Sequence, residues 1–135
     1  MSIGIGARAK KTFEDSEMVI YEYGGFDLND PKFRACIRDG SILIPRSCFV
    51  EPEIHTKRKK MKGGRKKLVV KRVCILVDYE RMVLDGWVIV KNCGNCWRTM
   101  PDEPHADIMA LCVLRKALYE YQETGIVPDA IYYFK

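Results

Sequence analysis

The chain has 135 residues, 47% of them hydrophobic and 30% charged, which suits one globular domain spanning 1–135 and excludes a disordered or fibrous chain. Apolar runs such as Leu68-Val69-Val70 and Val88-Ile89-Val90 fall far short of the roughly 20 residues of a spanning helix, and the N-terminal residues lack a basic stretch followed by an apolar one. Membrane insertion and secretion are therefore not expected, a cytoplasmic location is, and the six cysteines are read as thiols.

In chain order, Ile3 to Phe13 and Glu17 to Tyr23 read as strands joined by the polar turn Glu14-Asp15-Ser16, with Gly24-Gly25 ending the second. Phe26 to Arg38 reads as loop, and Ser41 to Ile44 as a short strand closed by Pro45. A long hairpin follows. Cys48 to Met61 forms one arm, Gly63-Gly64 a two-residue turn and Arg65 to Val73 the other arm. Strand alternation puts Leu68, Val70 and Arg72 on one face and Val69, Lys71 and Val73 on the other.

Asp78 to Leu84 reads as a short helix with Asp78 as its N-cap and Gly86 past its end, and Trp87 to Lys91 as a strand. A longer helix runs from about His105 to Thr124. Ile108, Leu111, Cys112, Leu118 and Tyr119 recur at helical spacing, Pro104 suits the first turn, and Gly125 suits the position after the last. Ile126 to Phe134 returns as a strand. Cys74 and Cys112 lie among apolar neighbours and are expected in the core. The order predicts an α+β fold: a mostly antiparallel sheet, a projecting basic β-hairpin, and one long helix in the C-terminal half packed on a sheet face.

The charge is unevenly divided. Of 23 basic residues, ten lie within 57–72: Lys57, Arg58, Lys59, Lys60, Lys62, Arg65, Lys66, Lys67, Lys71 and Arg72. No acid interrupts them, so the rest of the chain holds 13 basic against 18 acidic residues. A solvated tip is one reading of such a run. The other is a site for an anionic partner, either nucleic acid or an acidic protein. Lysine and arginine neutralise phosphates and release counterions. The segment has no aromatic residue, so it suits backbone contact better than base stacking.

Cys93-Gly94-Asn95-Cys96 is the second candidate. Two thiolates at this spacing suit one tetrahedral metal, so zinc is the cofactor to consider. No second such pair exists, and completion would fall to His105, Cys112, Cys36, Cys48 or His55. A redox role would require a helix directly after the pair, where Trp97 to Pro104 does not read as one. A plain turn tucked under Trp97 is the simplest account. Glu53, His55 and Lys57 share a strand face, and neither histidine forms a recognisable catalytic set. No phosphate-binding loop, complete dinucleotide fingerprint or hydrolase motif occurs. The aromatic residues Tyr119, Tyr121, Tyr132, Tyr133 and Phe134 crowd the C-terminal region as core or rim, and form an interface if the last strand is an edge.

These readings point to a non-enzymatic binding domain without an obligate cofactor. Its basic hairpin would contact nucleic acid or, in the manner of a bacterial immunity protein or antitoxin, an acidic protein surface.

Overall fold

A computed structural model describes residues 4–32, 34–60, 63–64, 66–96 and 98–134, the side chain of Lys59 excepted. The fold is α+β. β1 (Ile5–Glu14), β2 (Met18–Asp27), β3 (Gly40–Pro45), β6 (Ile89–Lys91) and β7 (Ala130–Phe134) form an antiparallel sheet in the order β6-β3-β2-β1-β7. A separate antiparallel pair, β4 (Glu53–Lys60) and β5 (Lys66–Val73), forms the basic ribbon. Among the described residues the α-helices are α1 (Tyr79–Leu84) and α2 (Ile108–Thr124). No helix is long and apolar enough to cross a membrane among the described residues.

The core lies between α2 and one sheet face. Met109, Ala110, Val113, Leu114, Ala117, Leu118 and Tyr121 form the buried stripe of α2, and Ala7, Ala9, Val19, Tyr21, Tyr23, Ile42, Ile44 and Ile131 line the sheet. Alanines occur in both layers of the core, Ala110 and Ala117 in α2 and Ala7 and Ala9 in β1. The stripe is rotated from the sequence reading: Ile108, Cys112 and Tyr119 are half-buried flanks. Asp107 caps the helix by accepting from the Met109 N–H, and Gly125 closes it at φ 75°. Pro104 therefore stands before the helix, not in its first turn.

Other boundaries shift for identifiable reasons. Gly24 and Gly25 do not end β2, which continues to Asp27. A Cβ on Gly24 would lie 2.0 Å from the Ile37 carbonyl oxygen, so glycine is needed where the 37–38 backbone crosses the strand. The chain from Arg46 to Cys48 is a 3-10 turn, and the hairpin arm starts only at Glu53. Trp87 stays out of β6 because its N–H, like that of Val88, bonds the Met82 carbonyl and wraps the end of α1. β7 begins at Ala130, after Pro128 has given its carbonyl to the Tyr21 hydroxyl at 2.5 Å.

Cys74 is exposed, contrary to expectation. It follows the ribbon, and the chain re-enters the core only at Val77. Gln122, fully buried, holds this returning segment through both amide atoms. It accepts from the Ile75 N–H at 2.7 Å and donates to the Ile75 carbonyl at 2.9 Å.

Candidate anion-binding ribbon and the cysteine turn

The register of the ribbon fixes its two faces. Ile54, Thr56, Arg58 and Lys60 share one with Arg72, Val70, Leu68 and Lys66; Glu53, His55 and Lys57 share the other with Val73, Lys71 and Val69. Lys60 stands directly opposite Lys66, and Lys59 is paired in register with Lys67. Like charges placed opposite each other destabilise a strand pair. The described pair nearest the tip is Lys60 with Lys66; Met61, Lys62 and Arg65, which flank the expected two-residue turn, lie outside the described residues. Gly63 and Gly64 do adopt the expected left-handed conformation, at φ 93° and 84°.

Neither face is covered. Among the described residues no carboxylate lies within ion-pair distance of Lys57, Arg58, Lys60, Lys66, Lys67 or Lys71. Arg72 is the exception to this outward orientation. Its Nη1 donates to the Glu123 carbonyl at 3.0 Å, a cation at the C-terminal end of α2 where the helix dipole favours one. Arg72 thus tethers the ribbon, and the other described cations are left for solvent or a partner. Lys62 and Arg65 lie outside the described residues. Apolar side chains interleave with the charges: Ile54, Leu68 and Val70, each 59% exposed, share a face.

The cysteine turn has a different character. Cys93 is buried. Its N–H donates to the Tyr23 hydroxyl at 3.0 Å, and that hydroxyl donates to Asp107 Oδ2 at 2.9 Å. The Cys93 thiol approaches the same carboxylate oxygen at 3.5 Å. Asp107 has no exposed surface, and its N–H is bound by Asn92 Oδ1 at 2.8 Å. Burial, aided by the Asp107 charge, pushes the Cys96 thiol up to about 11 and raises Cys93 and Tyr23 as well. Both thiols are protonated at neutral pH, and Cys93 ties the turn to Tyr23 of β2 and to Asp107 at the start of α2.

His105 does not join them. Its Nδ1 lies 3.1 Å from the Met100 carbonyl and its Nε2 3.2 Å from Glu103 Oε1. The other candidate ligands are scattered: Cys36 donates to the Gly24 carbonyl, His55 pairs with Glu53 on the ribbon, and Cys112 neighbours Tyr133. Among the described residues no group of three His, Cys, Asp or Glu side chains is arranged to hold a metal. Trp97, read as a cover for this turn, lies outside the described residues. Sequence reasoning missed Asp107 and Tyr23 here. Nothing local in the sequence links Asp107 to residues 84 and 14 positions away.

Comparison with protein-family models, with curated proteins and with solved structures finds no match to this chain.

Proposed function

We propose that this chain is a nucleic-acid-binding domain that grips the phosphate backbone with the β4–β5 ribbon. One observation carries the reading: Lys60 and Lys66 face each other on an uncovered strand pair whose outward cations have no carboxylate partner among the described residues. Such repulsion is relieved by a polyanion, and counterion release adds affinity. A two-stranded ribbon also matches the width of a duplex major groove. The reading assigns no reaction to the chain.

Titration of a labelled duplex against the full chain at several salt concentrations tests it. Engagement of four phosphates gives a log–log salt slope of about −3.6. Replacing Lys57, Arg58, Lys66 and Lys67 with Ser should flatten that slope and leave the circular dichroism unchanged. Loss of the fold would make the ribbon structural. Salt-independent affinity, or none at about 50 mM salt, would overturn the nucleic-acid reading.

A second reading rests on Ile54, Leu68 and Val70. An apolar row ringed by cations also suits an acidic protein surface with an apolar centre, as an immunity protein or antitoxin would require. On that reading Leu68→Ser and Val70→Ser weaken partner binding as much as loss of the lysines does; duplex binding that ignores them counts against it.

A further inference from the structure

The five-stranded sheet has a second face, away from α2, and its β1–β7 end carries an aromatic platform. Phe26 lies across Gly6, where a Cβ would come within 2.5 Å of its ring. Glycine at this position therefore lets the ring come close against β1 as a floor. Tyr132 and Phe134, two apart on the edge strand β7, stand on that floor at 5.9 and 5.8 Å between centroids. Their own rings are near-parallel, at 7°. Phe26 is buried by this arrangement, yet Tyr132 stays 46% and Phe134 39% exposed.

Cations frame the platform. The Arg8 guanidinium sits over Tyr132 at 5.1 Å and over Phe26 at 5.5 Å, so its plane is already held in place. Arg8 stands opposite Tyr132 and Lys10 opposite Ala130 in the β1–β7 register, which puts both cations on the platform's face. With Arg38, Asp129 and Ala130 they line a concavity of about 430 Å³ beside Tyr132. That volume is within the roughly 300–1,000 Å³ of small-ligand sites. The neighbouring acids are engaged already, Asp129 with Lys11 at 2.9 Å and Glu22 with Arg38 at 3.0 Å. Arg8 and Lys10 have no carboxylate partner among the described residues.

An exposed ring beside unpaired cations, in a concavity of this size, is complementary to an aromatic anion. We infer that the concavity takes an unpaired nucleotide of a nucleic-acid strand, its base stacked on Tyr132 and its phosphate between Arg8 and Lys10. The inference rests on the nucleic-acid reading of the ribbon and refines it. The ribbon supplies charge without stacking, and the sheet face supplies the stacking that the ribbon's sequence lacks. The ligand is then a strand with unpaired bases rather than a uniform duplex.

Fluorescence anisotropy of the full chain with a labelled oligothymidine of about ten nucleotides, and with a duplex, tests this, since single-strand site sizes run from about 4 to 16 nucleotides. Tyr132→Ala should weaken oligothymidine binding about 5- to 150-fold, the range of one lost base stack, and leave duplex affinity unchanged. Tyr132→Phe should keep single-strand affinity near the wild-type value, because the ring face is retained. Single-strand affinity unmoved by Tyr132→Ala, with duplex binding still dependent on salt and on the ribbon lysines, overturns this inference alone. Absence of any ribbon-dependent binding removes both readings. Thymidine monophosphate binding as tightly as the oligomer, and lost in Tyr132→Ala, would make this a free-nucleotide site and overturn the strand version.

Discussion

Asp107 shows how one side chain sets the chemistry around it. Its carboxylate takes the Tyr23 hydroxyl, the Cys93 thiol and the Met109 N–H, so a buried charge is satisfied by donors from three segments. That arrangement favours the protonated thiol. Cys96, with an ordinary value of 9.0, is pushed up to about 11, first by burial and then by Asp107. The folded chain therefore holds a proton that the unfolded chain releases between about 9 and about 11. Stability is full below this window and falls as pH rises through it, because the unfolded state binds fewer protons there. The urea midpoint should decline across that window, and Cys96→Ser should make the decline shallower, with Cys93, Cys36, Cys48 and Tyr23, all raised by burial, contributing the remainder. A decline of the same steepness in Cys96→Ser would contradict the assignment. Alkylation read by peptide mapping gives an independent check: at pH 9 the exposed Cys74 should react first and Cys96 late.

Among the elements, the ribbon is the one whose charge works against its own pairing. Lys66→Glu would set opposite charges across the Lys60 position and strengthen the strand pair by about a few tenths of a kcal/mol. The same change removes one phosphate contact and adds repulsion. Hydrogen exchange in β4 and β5 should slow while duplex affinity falls, an opposition that a merely solvated tip would not show. Unchanged affinity with slower exchange would identify the ribbon as a solubilising surface. This element was legible in the sequence because its signal is local: dense like charge, strand alternation and a Gly-Gly pair. The cap of α1 was legible for the same reason, Asp78 accepting from the Arg81 N–H three residues on. Elements set by distant contacts were not. Gly24 and Gly25 look like a strand end until the 37–38 backbone is seen crossing them. The aromatic crowd at the C-terminus was visible, but its floor and its guanidinium come from Phe26 and Arg8, more than a hundred residues away. The cysteine pair was visible too, and its actual partner, a carboxylate, lies outside the ligand set its spacing suggested.

At the scale of the whole molecule, charge and core are kept apart. The buried cluster draws on both helices and the five-stranded sheet and takes nothing from β4 or β5. An isolated two-stranded hairpin is marginal in water, so the body holds the ribbon in place and the ribbon adds little to the core in return. Arg72 to the Glu123 carbonyl is a described tie between them, and Gln122 fixes the returning chain just beyond. Replacing 54–72 by a short Gly-Ser connection should therefore leave a cooperative thermal transition, lowered by no more than a few degrees, since a loss of about 1 kcal/mol shifts Tm by roughly 4–8 °C in small domains and 2–4 °C in larger ones. The charge consequence is larger than the structural one. The chain carries +5, and the segment 57–72 alone carries ten positive charges, so the shortened protein should reverse sign at pH 7. It should bind an anion exchanger where the full chain binds a cation exchanger, and lose its salt-dependent affinity for duplex. Any single-strand affinity it keeps through Tyr132, Arg8 and Lys10 should be weak and less sensitive to salt than that of the full chain, because only the phosphate held by Arg8 and Lys10 is still neutralised. A shortened chain that fails to fold would show instead that the ribbon is part of the scaffold, and the separation of charge from core would be wrong.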